Sequence, residues 1–496
     1  MSGGKRPIIG VRKDELVPPD EDRLVEIGTY DALLPCRQFK VDYKVAVLGS
    51  VTPSLEFMLR LIKAAPGIDE QDAAAFFGYD QGEFDYVMRE ACEPGYATRG
   101  DGCLWLTSAG EDLFIDAGSE PLIFAVEGRS ASFGFDLLSV APQRRLSLDE
   151  VERALPELPV EPGTPIGAVS ERIPERVLRF FHELGDRRDR EQNQRRDLYS
   201  VDAVAAEDRF QVPVRIRAFA RASSPSLAES DLRSWMPDQD LADRPQVERA
   251  AAVLLQGMRV HRDPVRDPLA YEALYSFAPE FLREFTTRDG LSVNRYWREA
   301  VGRAGEARAD RPTIPIVGPW GTSGNAKRFG EVLDYGLRAR PKAGLSVLSL
   351  APQVPSWGGT TQLRESLGLL RRSLREAAPA GGGIALRCLL AGKPARYVEA
   401  AFDSLHPIDA GAVPARLEIL LVPAVAVVAL VHAPIGVLNG HPVPLGLASF
   451  DADVVWRVGD YIRRQAFARL APNEADVLDE ALQGMPTDID DLPGTT

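Results

Sequence analysis

The 496-residue chain predicts a multidomain α/β protein, and three observations carry that prediction. Its length exceeds what one ordinary hydrophobic core organises, so about three domains are expected. Between residues 53 and 114, apolar positions at helical spacing give way to a short alternating pattern, which reads as three helices and then a hairpin. From residue 325 onward helix-period and strand-period segments alternate, a pattern that requires a sheet covered by helices. A mixed α+β region lies between them.

The N-terminal extension, residues 1–39, opens with "MSGGKRPIIGVRKDELVPPDEDR" and has no apolar h-region, so no secretory signal is expected. No apolar run approaches the ~20 residues needed to span a bilayer. Cys36, Cys92, Cys103 and Cys388 form no Cys-x-x-Cys pair, and five His leave little material for a zinc cage. A cytoplasmic protein with no metal, no cofactor and no membrane contact is the resulting expectation.

Residues 40–118 form the first unit. Leu55, Met58, Leu59 and Ile62 mark one helix that Gly67 ends, residues 69–77 a second and residues 81–91 a third. Residues 96–98 and 104–106 then flank an Asp101-Gly102 turn, and "TSAGEDLF" closes the unit. Three helices and a hairpin in this order resemble the winged-helix family, a winged helix-turn-helix fold whose third helix often reads DNA. That third helix region carries Asp80, Glu83, Asp85 and Glu90 against Arg89, and residues 40–114 hold 6 basic and 13 acidic residues. Repulsion from phosphate therefore favours a protein-docking role, with Arg99 at the hairpin tip the one evident phosphate reader.

Residues 119–155 read as two strands ("PLIFAVEG", "ASFGFDLLSV") and a helix starting near Ser147, where Glu150 completes a capping-box pattern. The Pro- and Gly-rich residues 156–172 form a linker. In the mixed middle domain, 173–324, Ile173, Val177, Phe180, Phe181 and Leu184 share a helix face. The following "GDRRDREQNQRRD" interleaves both charge signs and reads as a solvated surface. "LYSVDAV" and "FQVPVRIRAFA" suggest a hairpin, and residues 250–258, 269–285 and 293–304 suggest helices.

The domain at 325–470 holds 17 basic and 11 acidic residues, whereas the tail at 471–496 holds 7 acidic and no basic ones and is expected to be disordered. "GPWGTSGNAK" lacks the Gly-Lys-Ser/Thr step of a phosphate-binding loop, so Thr322 or Ser323 is expected simply to cap the helix that follows. "HRDP" at 261–264 lacks the downstream Asn of a kinase catalytic loop. Near the end of the chain stands "HAPIGVLNGHPVPLGLAS" at 432–449. His432, Asn439 and Gly446 in this segment, with the strand-turn pattern around them, resemble the His-x-Lys-x4-Asp motif and following Gly-Ser of the phospholipase D superfamily. The resemblance implies an α/β/α sandwich with His432 at the position of the nucleophile. It also places Pro434 at the position of the Lys, Asn439 at the Asp and Leu447 at the Ser.

Diester cleavage of this kind needs a nucleophilic imidazole, a cation on the phosphoryl oxygens and a second His as acid. Proline offers no charge, and no second His-x-Lys occurs in the chain; a homodimer would join two sites that both lack Lys. His432 is then expected to be a core or sheet-edge His held by backbone groups, and His441 an exposed turn residue. Arg328, Arg371, Arg372, Arg375, Arg463 and Arg464 are candidates for contact with a nucleic-acid backbone, which takes cations rather than nucleophiles. The functional expectation is a non-catalytic accessory or scaffold subunit of a bacterial nucleic-acid-processing or phage-defence complex, partnered by a helicase or nuclease subunit. A winged-helix DNA-binding transcription regulator and an active phospholipase D-type phosphodiesterase are the alternatives.

Overall fold

The computed structural model describes residues 23–49, 52–114, 121, 123–159, 168–184, 196–235, 243–288, 290–302, 305–339, 345–378 and 383–467, together with 475, 478, 479, 482 and 485. The chain is mixed α/β and divides into two compact units. One comprises Cys36–Arg144 and Pro165–Phe210; the other comprises Met1–Pro35, Arg145–Thr164 and Gln211–Thr496.

In the first unit the chain from Cys36 to Gly49 pairs antiparallel with Ile123–Asp136 along its whole length, Cys36 opposite Asp136 and Gly49 opposite Ile123. The two strands expected in 119–155 are therefore one, because a full-length partner carries the chain through Gly128 and Gly134. Phe39, Val41 and Phe135 bury against Val169, Ile173 and Val177 of the Val169–Leu184 helix. The turn after the strand is locked by the buried Asp136 carboxylate, which accepts the backbone N–H groups of Leu138, Ser139 and Ala141. The Arg-rich run at 185–195 lies outside the described residues.

The same unit holds helices Pro53–Ala64, Glu70–Phe77 and Gln81–Cys92, followed by strands Ala97–Gly100 and Cys103–Leu106. Each helix begins on a side chain suited to it: Thr52, Asp69 and Asp80 cap them in turn, and Asp80 and Glu83 form a reciprocal capping box. Asp101 and Gly102 both take positive φ, as a two-residue type I′ turn requires. Met58, Leu59, Ile62, Phe84, Met88 and Leu104 form the core.

In the second unit a seven-stranded sheet runs in the order Thr313–Val317, Val443–Ser449, Ala426–Ala433, Leu417–Val422, Val347–Leu350, Leu386–Ala391, Ser404–Ile408. The first five are antiparallel neighbours and the last three are parallel. Helices Ser323–Ala339 and Thr361–Ala377 bury one face, where Ile316, Val347, Leu386, Leu420 and Leu430 meet Phe329, Val332 and Leu367. Ala452–Gln465 covers the other, with Gly459 near Leu421 and Tyr461 edge-on to Phe277 of the Arg266–Phe277 helix.

Several boundaries differ from the sequence reading. The sheet takes in Thr313–Val317, and residues from Gln211 on share its compact unit. The hairpin expected in the middle region is a single strand, Arg196–Arg221, with Ser224–Asp231 as its antiparallel neighbour; "AAEDR" holds no Gly or Asn to take the positive φ of a two-residue hairpin turn. The helix expected over 269–285 stops at Phe277 and restarts as Pro279–Leu282, since Pro279 has no N–H to continue it. The helix expected from Ser147 is Glu150–Arg153, capped by Asp149 with Glu152. In the presumed disordered tail, Leu478, Leu482 and Met485 are buried, Met485 lies against Gly459, and Asp479 pairs with Arg463 at 3.4 Å.

Two backbone approaches leave no room for a side chain. At Gly446 a Cβ would sit 1.9 Å from the Ala429 carbonyl oxygen, and at Gly318, with φ +82°, one would sit 2.3 Å from that of Glu26. Only glycine fits either position. The Gly446→Ala variant is therefore expected to lose about 3 kcal/mol or more of stability, read as a lower urea midpoint by circular dichroism. An unchanged midpoint would contradict the close strand approach.

Candidate functional site

The strand pair Leu417–Val422 and Ala426–Ala433 places one acid and one imidazole on the same face. Glu418 stands opposite Leu430, and His432 is two residues further on, so the two polar side chains are diagonal neighbours. His432 Nε2 lies 2.5 Å from Glu418 Oε2, and Trp357 Nε1 donates to Glu418 Oε1 at 3.1 Å. Glu418 is 3% exposed and His432 5%. A carboxylate that deep needs both oxygens satisfied, and here both are. Because a carboxylate accepts, the imidazole donates from Nε2. Nδ1 has no hydrogen-bond partner among the described residues.

His432 and Glu418 line a cleft at this end of the sheet. It holds about 610 Å³ of empty space, its solvent-open mouth included. Its walls come from loops that precede two helices: Pro319, Trp320 and Thr322 ahead of Ser323–Ala339, and Pro355, Ser356 and Trp357 ahead of Thr361–Ala377. Ser356 holds φ +55°, a strained value for a non-glycine residue. Ile27, Thr29 and Tyr30 complete one side, Pro442 and Pro444 another. Among the described residues lining the cleft there is no Lys or Arg.

The N-terminus of the Thr361–Ala377 helix is already occupied by a side chain. Asp31, 3% exposed, accepts from Thr361 N at 2.7 Å, from Thr360 Oγ1 at 3.0 Å and from Arg215 Nε at 3.0 Å. Its carboxylate takes the place an anion would otherwise fill.

Next to the cleft lies a second imidazole. His441, 1% exposed, bonds Nε2 to the Tyr30 hydroxyl at 3.0 Å with the rings edge-on, and its backbone N–H donates to the Ser226 carbonyl. Its Nδ1 is buried without a partner. Burial, then the field of His432, pushes its pKa down to about 4, and burial pushes the Tyr30 phenol upward. The expected exposed turn residue is thus a buried neutral base, and His432 is held by a carboxylate more than by backbone groups. Glu418, Trp357 and Tyr30 were missed by sequence reasoning; the one available signal was a single acid in the apolar run "LEILLV".

The motif residues do not converge. Only His432 reaches the cleft. Pro434 is buried, Asn439 is exposed with its carbonyl accepting from Arg259, and Gly446 serves the sheet, its carbonyl accepting from the Tyr296 hydroxyl at 2.6 Å. The candidate arginines also separate. Arg328, Arg371, Arg372 and Arg375 belong to helices on one face of the sheet, Arg463 and Arg464 to the helix on the other. Arg328 donates to the Gly305 and Pro315 carbonyls, Arg371 pairs with Asp403, and Arg464 with Asp460. Arg372 and Arg375 are exposed.

No family model, no curated protein and no solved structure matches the chain. Among the described residues no group of three or more His, Cys, Asp or Glu could hold a metal ion, and no helix is long and apolar enough to cross a membrane.

His441 gives a pH dependence of known sign. Its folded-state pKa of about 4 lies below the ordinary 6.5, so between these values the unfolded chain binds more protons and stability falls as pH falls. The cost accumulates to the order of 3 kcal/mol by pH 4. In the His441→Gln variant the drop in urea midpoint between pH 7 and pH 4.5 is expected to be smaller than in the parent; an identical drop would remove His441 as its source.

Proposed function

We propose that this chain is a non-catalytic accessory or scaffold subunit, in which a degenerate phospholipase D-like domain keeps an imidazole but has lost the means to hold a phosphoryl group. The observation that carries this is the cleft around His432, whose described lining residues include no Lys or Arg while buried Pro434 stands where the motif would place Lys. Losing a preorganised cation costs on the order of 10²-fold or more in rate. The small helical module, read as a winged helix, serves protein docking in this proposal. Arg99, its one evident phosphate reader, pairs with Asp85 at 3.2 Å and lies 3.8 Å from Glu70. A helicase or nuclease subunit of a nucleic-acid-processing or phage-defence complex is the partner class proposed.

Contact with a nucleic-acid backbone, if made by the helical layer over the cleft, rests on Arg372 and Arg375, exposed on the Thr361–Ala377 helix. A second reading, an active hydrolase, is favoured by one feature: a buried carboxylate, Glu418, holds and orients an imidazole that lines the cleft.

Hydrolysis of a chromogenic phosphodiester and of single-stranded DNA separates the two readings. No turnover above that of His432→Ala is expected; activity that disappears in that variant would establish the hydrolase. In gel shifts with single-stranded DNA, replacing both Arg372 and Arg375 by Ala is expected to reduce the slope of log affinity against log salt by roughly 0.7 per arginine. An unchanged slope would remove that helix from the interface.

A further inference from the structure

A strand at the edge of a sheet offers unpaired backbone groups to any second strand, and proteins blunt such edges with proline, lysine or a bulge. The outer strands Thr313–Val317, Ser404–Ile408 and Ser224–Asp231 follow this rule, carrying Pro315, Pro407 and Pro225. Ile123–Asp136 does not. It is an outer strand of 14 residues, "IFAVEGRSASFGFD", with neither proline nor lysine, and it pairs with Cys36–Gly49 along its whole length without a register shift.

Its outer side is covered at one end. The Asp136 N–H donates to the Ala141 carbonyl, and the Gly134 carbonyl accepts from the Gln143 N–H. Even-numbered residues therefore turn their backbone groups away from Cys36–Gly49, and without a bulge that alternation carries back through Ser132, Ser130, Gly128 and Val126 to Phe124. Among the described residues no strand and no other backbone group meets these five on that side. The open edge thus runs from Ile123 to Phe133, with Gly128 at its midpoint. Glu127 and Arg129 flank that midpoint and pair with each other at 3.0 Å.

We propose that the chain forms a twofold homodimer in which the Ile123–Phe133 edges of two copies pair antiparallel, with Gly128 opposite the partner's Gly128. In this register every outward-facing residue meets another: Gly128 its counterpart, Val126 the partner's Ser130, and Phe124 the partner's Ser132. The intervening pairs set Glu127 opposite the partner's Arg129 and Arg129 opposite the partner's Glu127. These are the non-hydrogen-bonded positions, where side chains of an antiparallel pair approach most closely. The two neighbouring registers are disfavoured by charge, because centring on residue 127 opposes two glutamates and centring on 129 opposes two arginines. Run antiparallel, the Glu-Gly-Arg triplet is complementary to itself, which makes a second copy the fitting occupant of this edge.

Sedimentation equilibrium of the full chain at about 50 mM salt tests this. A monomer–dimer equilibrium with a dissociation constant of about 10 μM or tighter is expected. Glu127→Arg and Arg129→Glu each set two like-charged pairs across the junction and are expected to weaken the dimer about tenfold or more, whereas the double exchange restores it. Gly128→Pro removes an outward N–H that the pairing with Cys36–Gly49 does not use, at a position where a Cβ meets nothing within 4 Å. It is expected to leave the circular dichroism spectrum unchanged and the protein monomeric; if it disturbs folding, the charge exchange decides alone. A monomer at every concentration up to about 100 μM overturns the proposal. So does a dimer that both single charge variants leave as tight as the parent, or one that the double exchange fails to restore.

Discussion

An ionised carboxylate buried in a sheet with helices on both faces must find its partners within the sheet's own layer or the loops above it. Removing such a charge from water costs several kcal/mol unless excellent hydrogen bonds replace the solvent. Glu418 meets this constraint with one bond from the adjacent strand and one from a loop indole. The same two bonds orient the imidazole and hold Trp357 in the wall, so the local shape of the cleft follows from satisfying one buried acid.

Asp31 answers a similar demand nearby. It brings the N-terminal part of the strand Leu24–Gly49 to the start of the Thr361–Ala377 helix, with Arg215 balancing its charge. This removes the helix terminus from the pool of anion sites and at the same time fixes the loop that carries Ser356 and Trp357, since the Asp31 N–H donates to the Gly359 carbonyl. Cation placement and helix-end placement therefore agree in making the cleft poor in positive potential, although the sequence around it is net basic. The basic residues are spent elsewhere: on carbonyl oxygens at Arg328, on Asp403 at Arg371, on Asp479 at Arg463.

The contact of Asp479 with Arg463, and the burial of Leu478 and Leu482, alter the meaning of the acidic tail. A tail with this charge density would stay solvated if charge alone decided its fate. Leu478, Leu482 and Met485 are instead buried, Met485 against Gly459 of the Ala452–Gln465 helix.

The sequence by itself determined the local grammar: the three helices and Asp-Gly turn of the small module, and the alternation that demands a helix-covered sheet. These depend on near-neighbour periodicity and capping, which are written within a few residues. Tertiary structure alone decided that a glutamate in "LEILLV" would meet an imidazole from the next strand, that Tyr30 would reach His441 across 411 positions, and that Gly446 would be needed for strand approach rather than chemistry. It also decided where the sheet begins, because Thr313–Val317 becomes part of it only through pairing with Val443–Ser449. Register and long-range burial choose among the partners that a linear pattern leaves open, and the site is built almost wholly from such choices.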